Sequence, residues 1–330
     1  MVKSDRIEKI IKISDEILSG IADCERRGYA LEHAHSAALN CALLAEERRL
    51  DAELSFIIGL LHDLYYAKTG IKDNHAINSA EYIRPILRDT RLFEDTEMQI
   101  ILQAVMFHSK KDSRQSDYAK LVKDSHKLSG EPDIGPSAGE SEKDEPKSTL
   151  DIDLFIYNAK KLASMNIEGK RESKEFIDII KYFPEDSAFD ELKNGWCAAF
   201  VYHCLFISGL RLPIKIPGVN GELSGNRLAG VYPFRQWALS NNFYINHDTV
   251  QKPILGDIVV YDNIIPTQNK QAGGWDTDHI GIVVDIDGEN LIVAEGNVNN
   301  ENVSGIVIRD SNKNIDGYIR VPKNYYYSPA

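Results

Sequence analysis

The sequence predicts a multidomain chain: an all-α helical bundle, then an α+β domain with an antiparallel sheet. Three observations carry this reading. At 330 residues the chain is long for one compact domain. Everything before residue 129 runs at helical period, with no strand-like segment. After residue 150, helices come first and β-branched runs separated by turn residues follow. Domains are expected at 1–128 and 150–330, joined by a flexible linker over 129–149.

The opening "MVKSDRIEKIIKISDEILSG" scatters charges through its apolar residues. It reads as an amphipathic helix, not a signal peptide. "LEHAHSAALNCALLAEERRL" follows, with Leu31, Ala34, Ala38, Cys41, Ala42 and Ala45 near 3.6-residue spacing. "DAELSFIIGLLHDL" starts at Asp51 as N-cap, with Glu53 in the first turn, and its dense apolar run predicts a buried central helix. "AINSAEYIRPILRD", "DTEMQIILQAVMFH" and "DYAKLVKDSHKL" continue the pattern.

In the linker, "SGEPDIGPSAGESEKDEPKST", Ile134 is the one large apolar residue, so little burial offsets the entropy of ordering. "DLFIYNAKKLASM", "SKEFIDIIKYF" and "GWCAAFVYHCLFISGL" then read as helices, the last stopped by Gly209. "GDIVVYD", "HIGIVVDID", "NLIVAEGN", "SGIVIRD" and "DGYIRVP" read as an antiparallel meander, with "DGEN" turning the second strand into the third.

A formal net charge of −12 disfavours sequence-independent binding to nucleic acid or anionic lipid. No apolar stretch is long enough to span a membrane, so a cytoplasmic protein is expected. Cys24, Cys41, Cys197 and Cys204 show no CxxC spacing, which argues against a zinc cage or a dithiol motif. Cys24 and Cys41 lie in apolar-periodic stretches and are expected in the core.

"GLLHDLYYAKTGIKDNH" ends an apolar run on His62 and Asp63, with His75 soon after. Adjacent ionisable groups at the end of a buried helix need a partner. Six of the nine histidines precede residue 127. His35, His62, Asp63, His75, His108 and Asp124 sit on or at the ends of five different predicted helices. A bundle aims such groups into one cavity, and imidazole with carboxylate suits a divalent transition metal or magnesium. His33 and His126 are read as surface or capping residues. His33 is two residues from His35, and such positions do not share a helix face.

The ordered set "HS" at His35, "LLHD", "NHAINSAE", "FHSKK" and "YAKLVKDSHKL" closely resembles the HD-domain superfamily of metal-dependent phosphohydrolases, over about residues 20–128. The resemblance implies an HD-type bundle in which His35, His62, Asp63 and Asp124 hold a first divalent ion (Mn, Mg, Fe, Ni or Zn). It also implies that His75 and His108 extend the site or hold a second ion. Asp63 is then a candidate for orienting the attacking water, and Lys110 and Lys111 for holding substrate phosphate. The chain departs from the family at "DSHK", where His126 stands at a usually acidic position, and at "LYY" after HD.

"NGWCAAFVYHCLFISG" puts Cys197 in the first turn of an apolar helix, where unpaired N–H groups and the helix dipole favour a thiolate. Such a nucleophile needs a histidine. His247 lies in a polar loop and His279 at the start of a strand, and the strand holds its side chain more rigidly. Glu295 and Asn297, at the end of the next strand, are the candidates for fixing the tautomer of that histidine. Cys204, seven residues on, is read as a core residue.

"WCAAFV", "GDIVVY", "DHIGIVV" and "EGN", in that order, look like the papain-like amidase superfamily, especially CHAP domains and their NlpC-type relatives, over about residues 190–321. The resemblance implies Cys197 as nucleophile, His279 as general base and Glu295 or Asn297 as orienter. It also implies an oxyanion hole formed partly by the Cys197 N–H, with Asn194 a further donor to substrate. Relatives hydrolyse amides, often in peptidoglycan peptides.

A bifunctional hydrolase acting on small phosphoester and amide or peptide substrates is therefore expected. The alternatives are that one half is a degenerate module regulating the other, or that the chain is an exported cell-wall-degrading effector or phage-type lysin.

Overall fold

The structure, a computed structural model, describes residues 4–109, 115–129, 149–185, 187–193, 195–217, 223–269 and 277–327. It divides into two compact units, Met1–Asp144 and Glu145–Ala330. Of the stretch read as linker, residues 130–148 lie outside the described residues.

The first unit is helical: α1 (Asp5–Ser19), α2 (Cys24–Arg48), α3 (Ala52–Leu61), α4 (Leu64–Thr69), α5 (His75–Thr90), α6 (Asp95–Phe107) and α7 (Asp117–Ser129). Asp51 caps α3 by accepting from Leu54 N–H, and every residue from Leu54 to Leu61 is buried. An apolar helix with no polar face belongs in the middle of a bundle. Accordingly α1, α2, α6 and α7 all pack on α3.

The closest approach is at Gly59, where a Cβ would sit 2.6 Å from the Ala37 carbonyl oxygen and 2.9 Å from the Ala38 Cα. Gly59→Val is therefore expected to push α3 off α2. The cost should be about 1–3 kcal/mol, read as a lowered urea midpoint.

Cys24, expected in the core, is exposed. It is the first residue of α2, before the buried stripe that begins at Ala30.

The second unit has α8 (Ile152–Ser164), α9 (Lys174–Ile180), α10 (Ala188–Leu192) and α11 (Cys197–Ile207), then a short hairpin of β1 (Lys215–Pro217) and β2 (Leu223–Arg227). After α12 (Val231–Ser240) come β3 (Tyr244–Asn246), β4 (Ile258–Asp262), β5 (Thr277–Asp287), β6 (Asn290–Glu295), β7 (Gly305–Asp310) and β8 (Ile315–Ile319). These six strands form one sheet in the order β3-β8-β4-β5-β6-β7, antiparallel throughout. The α+β architecture expected of the second half is present. α11 ends with Gly209 at φ 101°, a left-handed stop.

Register decides which side chains share a face. Tyr261 of β4 pairs with His279 of β5, Val283 with Val293 of β6, and Leu291 with Arg309 of β7. With a period of two, Val259, Tyr261, His279, Val283, Val293, Glu295 and Arg309 all project from one face. Most of that face is apolar core, with Val259, Tyr261, Val283, Leu291 and Val293 in one buried cluster. The N-terminal end of α11 meets β6 at Gly296, where a Cβ would lie 2.5 Å from Phe200 Cβ and 2.8 Å from the Trp196 ring. That close approach brings the start of the helix beside the end of the strand.

Candidate functional site

In the first unit, five imidazoles and one carboxylate meet at the ends and faces of six helices. His62 is the C-cap of α3 and Asp63 the N-cap of α4, so the chain bends between them. His75 opens α5, and His108 closes α6. His33 comes from α2 and His126 from α7, both buried. The Nε2 atom of His62 lies 3.3 Å from that of His33 and 3.1 Å from that of His126.

Asp63 divides the cluster between its two oxygens. Oδ2 is 3.3 Å from His62 Nε2 and 3.7 Å from His33 Nε2. Oδ1 is 3.5 Å from His108 Nε2 and 3.7 Å from His75 Nε2.

Three of the rings are oriented by backbone. His62 Nδ1 is 2.7 Å from the Gly59 carbonyl, His108 Nδ1 2.7 Å from that of Val105, and His75 Nδ1 3.0 Å from that of Lys72. A carbonyl only accepts, so each Nδ1 carries the proton and each ring turns its Nε2, the nitrogen left to ligate, inward. Burial holds His62 neutral, pushing its pKa down to about 4 against the pull of Asp63. Burial would raise the Asp63 pKa, but the surrounding histidines outweigh it and hold the group ionised, well below the usual carboxylate range.

Lone pairs converging at 3.1–3.3 Å beside a buried carboxylate are what a divalent cation satisfies. Asp63 Oδ1, buried with no hydrogen-bond partner, fits the same reading. The two tightest groupings are His33, His62 and His126, and His62, Asp63 and His108. The residues present fit a metal.

Two expected ligands are elsewhere. His35 is 38% exposed at its side chain and bonds Asp15 Oδ1 at 2.8 Å. Asp124 bonds Arg48 at 2.7 Å and Lys127 at 2.5 Å on the outside of α7. The reason is helical phase. Two positions apart is about 200° of rotation, so burying His33 turns His35 out, and burying His126 turns Asp124 out. His33 and His126, read as surface residues, are the inward ones. The signal was present. Ala30, Ala34, Ala37, Ala38 and Cys41 form the buried stripe of α2, and His33 belongs to it. Counting from Leu31, which is only half-buried, rotated the predicted face by one residue. In α7, Ala119, Val122 and His126 share a face at i, i+3, i+7. Lys110 and Lys111 lie outside the described residues.

In the second unit, Cys197 is the first residue of α11, buried, with Trp196 as N-cap. His279 is fully buried on β5, and its Nε2 is 2.9 Å from Glu295 Oε2. Its Nδ1 is buried and has no hydrogen-bond partner, and the Cys197 thiol is near enough to act on the ring. Burial would lower the His279 pKa, but the Glu295 charge and the Cys197 contact outweigh it and raise it to about 10.

Glu295 is also fully buried. Burial alone would raise its pKa, but His279 and Arg309 hold it below the usual range. Arg309 grips it with both faces of its fork, Nη2 to Oε2 at 2.6 Å and Nε to Oε1 at 3.0 Å. The Tyr261 ring stacks beside His279 with centroids 6.0 Å apart.

Asn297 does not orient His279. It sits in the left-handed region and organises the turn, donating to Asn300 Oδ1 at 2.8 Å and accepting from the Asn302 N–H at 2.9 Å. Asn302 in turn accepts from Trp196 Nε1 at 3.0 Å, which ties this turn to the residue before Cys197. Asn194 lies outside the described residues. His247, the rejected alternative, follows β3 in a turn and packs near Tyr318. Arg309 was missed. In "SGIVIRD" it falls on the inward phase with Val307, and a charge on the inward phase of a strand is the signal for it.

Residues 30–131 match the family model of the HD domain, and residues 189–297 match that of the CHAP domain. Both are hydrolase families. No curated protein and no solved structure matches the chain. Among the described residues, no helix is long and apolar enough to cross a membrane.

Proposed function

We propose, for a chain that joins an HD domain to a CHAP domain, a hydrolase with two separate centres. The first is a metal-dependent phosphohydrolase for a nucleotide or another small phosphoester. The observation that carries it is the convergence of buried Nε2 atoms on the two oxygens of Asp63. His33, His62 and His126 with Oδ2 would hold one ion, and His75 and His108 with Oδ1 a second. A bound divalent ion would supply an activated water near neutral pH and offset charge developing on the phosphoryl group. The chain's own part is to fix donor geometry through the Nδ1–carbonyl bonds and to keep one ionised carboxylate between the two groups of rings.

The second centre is a thiol amidase for a peptidoglycan-type peptide or another amide. Glu295 accepts from His279 Nε2–H, leaving Nδ1 to take the Cys197 proton. The sulfur attacks the amide carbon, the imidazolium protonates the departing amine, and water releases the acyl group from the thioester. The Cys197 backbone N–H, in the first turn of α11 and without an intrahelical partner, would serve the developing oxyanion. Arg309 positions Glu295.

The test is a panel of nucleotides, phosphomonoesters and short amide-linked peptides, run on metal-reconstituted protein. Cleavage in both classes supports the reading. Cleavage in neither class overturns it.

A pH dependence follows from His279. With a folded pKa raised to about 10, its protonation contributes stability in full below about pH 6.5, and that contribution is lost as pH rises through about 10. Glu295→Gln removes the charge that raises it. The alkaline limb of amide cleavage and the alkaline fall in Tm should both move to lower pH. Limbs that coincide in the two proteins would refute the role given to Glu295.

A further inference from the structure

Among the described residues, the donor set of the first centre is weighted toward nitrogen: His33, His62, His75, His108 and His126 supply imidazole, and Asp63 supplies the one carboxylate. We infer that His126, standing on the inward face of α7 where Asp124 does not reach, makes this a nitrogen-rich centre selective for borderline d-block divalent cations (Fe²⁺, Ni²⁺ or Zn²⁺) over Mn²⁺ and Mg²⁺. This rests on the reading of the cluster as a metal centre and adds its selectivity.

The argument has three parts. First, imidazole suits iron, nickel and zinc, whereas magnesium and manganese favour carboxylate, carbonyl and water oxygen. One carboxylate among five imidazoles offers at most a single negative charge, little for a hard cation that gives up its water reluctantly. Second, the nitrogens are prepared as donors. The carbonyls of Gly59, Lys72 and Val105 hold the Nδ1 protons of three rings, so those rings need no rearrangement to ligate. Third, the nearest further carboxylate on α7 is committed elsewhere. Asp124 is held between Arg48 and Lys127, and lies about 200° round the helix from His126. Bringing it inward would require α7 to rotate, withdrawing His126 and exposing Val122.

The experiment uses metal-stripped full-length protein, dialysed anaerobically against equal concentrations of Mg²⁺, Mn²⁺, Fe²⁺, Ni²⁺ and Zn²⁺, with bound metal per chain measured by elemental analysis. Most nitrogen–oxygen sites favour nickel and zinc to some degree. The decisive quantity is therefore how the ratio of retained Mn²⁺ to Ni²⁺ changes between variants. His126→Asp, which adds a carboxylate at the ligating position, should raise that ratio by about tenfold or more. Asp124→Ala should leave it unchanged, and circular dichroism shows whether each variant folds. A ratio unmoved in folded His126→Asp would overturn the inference. So would a ratio or metal content altered in Asp124→Ala, an outcome readable even where His126→Asp does not fold. Retention of none of the five ions by the wild-type protein would overturn the metal-centre reading and this inference with it.

Discussion

Replacing Asp63 with Asn is expected to strip the first centre of metal and abolish phosphoester cleavage while leaving amide cleavage intact. The amide keeps the shape of the side chain, so the helix bend at His62–Asp63 should survive. What it loses is the one negative charge in a buried cluster of rings, and with it a bridge between the two groups of histidines. A charge that neutralises a cation in a buried site counts for more than it would in water. Retained metal should fall by about 100-fold or more, the upper end of what loss of a supporting residue alone costs. Phosphoester turnover should drop by at least about 10³-fold, equivalent to roughly 4 kcal/mol of transition-state stabilisation. Elemental analysis and a phosphate-release assay on the same preparation check both halves. Full metal occupancy in Asp63→Asn would contradict the bridging role.

Cys197→Ala should have the reciprocal effect. Removing the nucleophile of a coupled thiol–imidazole–carboxylate unit lowers turnover by about 10⁴–10⁶-fold, because the remaining members have nothing to activate. The change removes a single buried atom, so folding should be little affected. Iodoacetamide at neutral pH gives an independent readout. Burial pushes the Cys41 thiol up to about 12 and raises that of Cys204 further still, so both should resist alkylation. Cys24 is exposed and will label in any case. Peptide mapping should therefore find label on Cys24 and Cys197 in the wild type and on Cys24 alone in the variant. Phosphoester cleavage reduced in Cys197→Ala, or amide cleavage reduced in Asp63→Asn, would contradict the independence of the two centres.

Both centres depend on features only partly visible along the chain. For the thiol centre, the order of the strands and the places of His279 and Glu295 at their ends carried most of the information. His279 and Glu295 reach the same face of neighbouring strands because a bulge between Val283 and Asp285 shifts by one residue the register that the "DGEN" turn starts, so that Val283 pairs with Val293. Arg309 obeys strand alternation, but its partner is 14 residues away on another strand, and a charged residue near a strand end reads equally well as solvated. The role of Asn297 depended on a left-handed backbone at φ 53°, which turns its side chain into the loop.

The metal cluster separates the two kinds of information more sharply. Sequence alone determined that the first half is a helical bundle, that α3 is its buried centre, and that His62, Asp63, His75 and His108 stand at helix ends. Hydrophobic period and capping chemistry are local, and a residue at a helix terminus has few directions to point. The alanine stripe of α2 and the Ala119–Val122 face of α7 hinted at His33 and His126, but tertiary structure decided between His33 and His35 and between Asp124 and His126. Those pairs lie within helices, two residues apart, and the choice is one of rotation about the helix axis. Rotation is set by which stripe packs on the neighbouring helix, here the alanine face of α2 against Gly59 of α3, and that contact exists only once the bundle has formed.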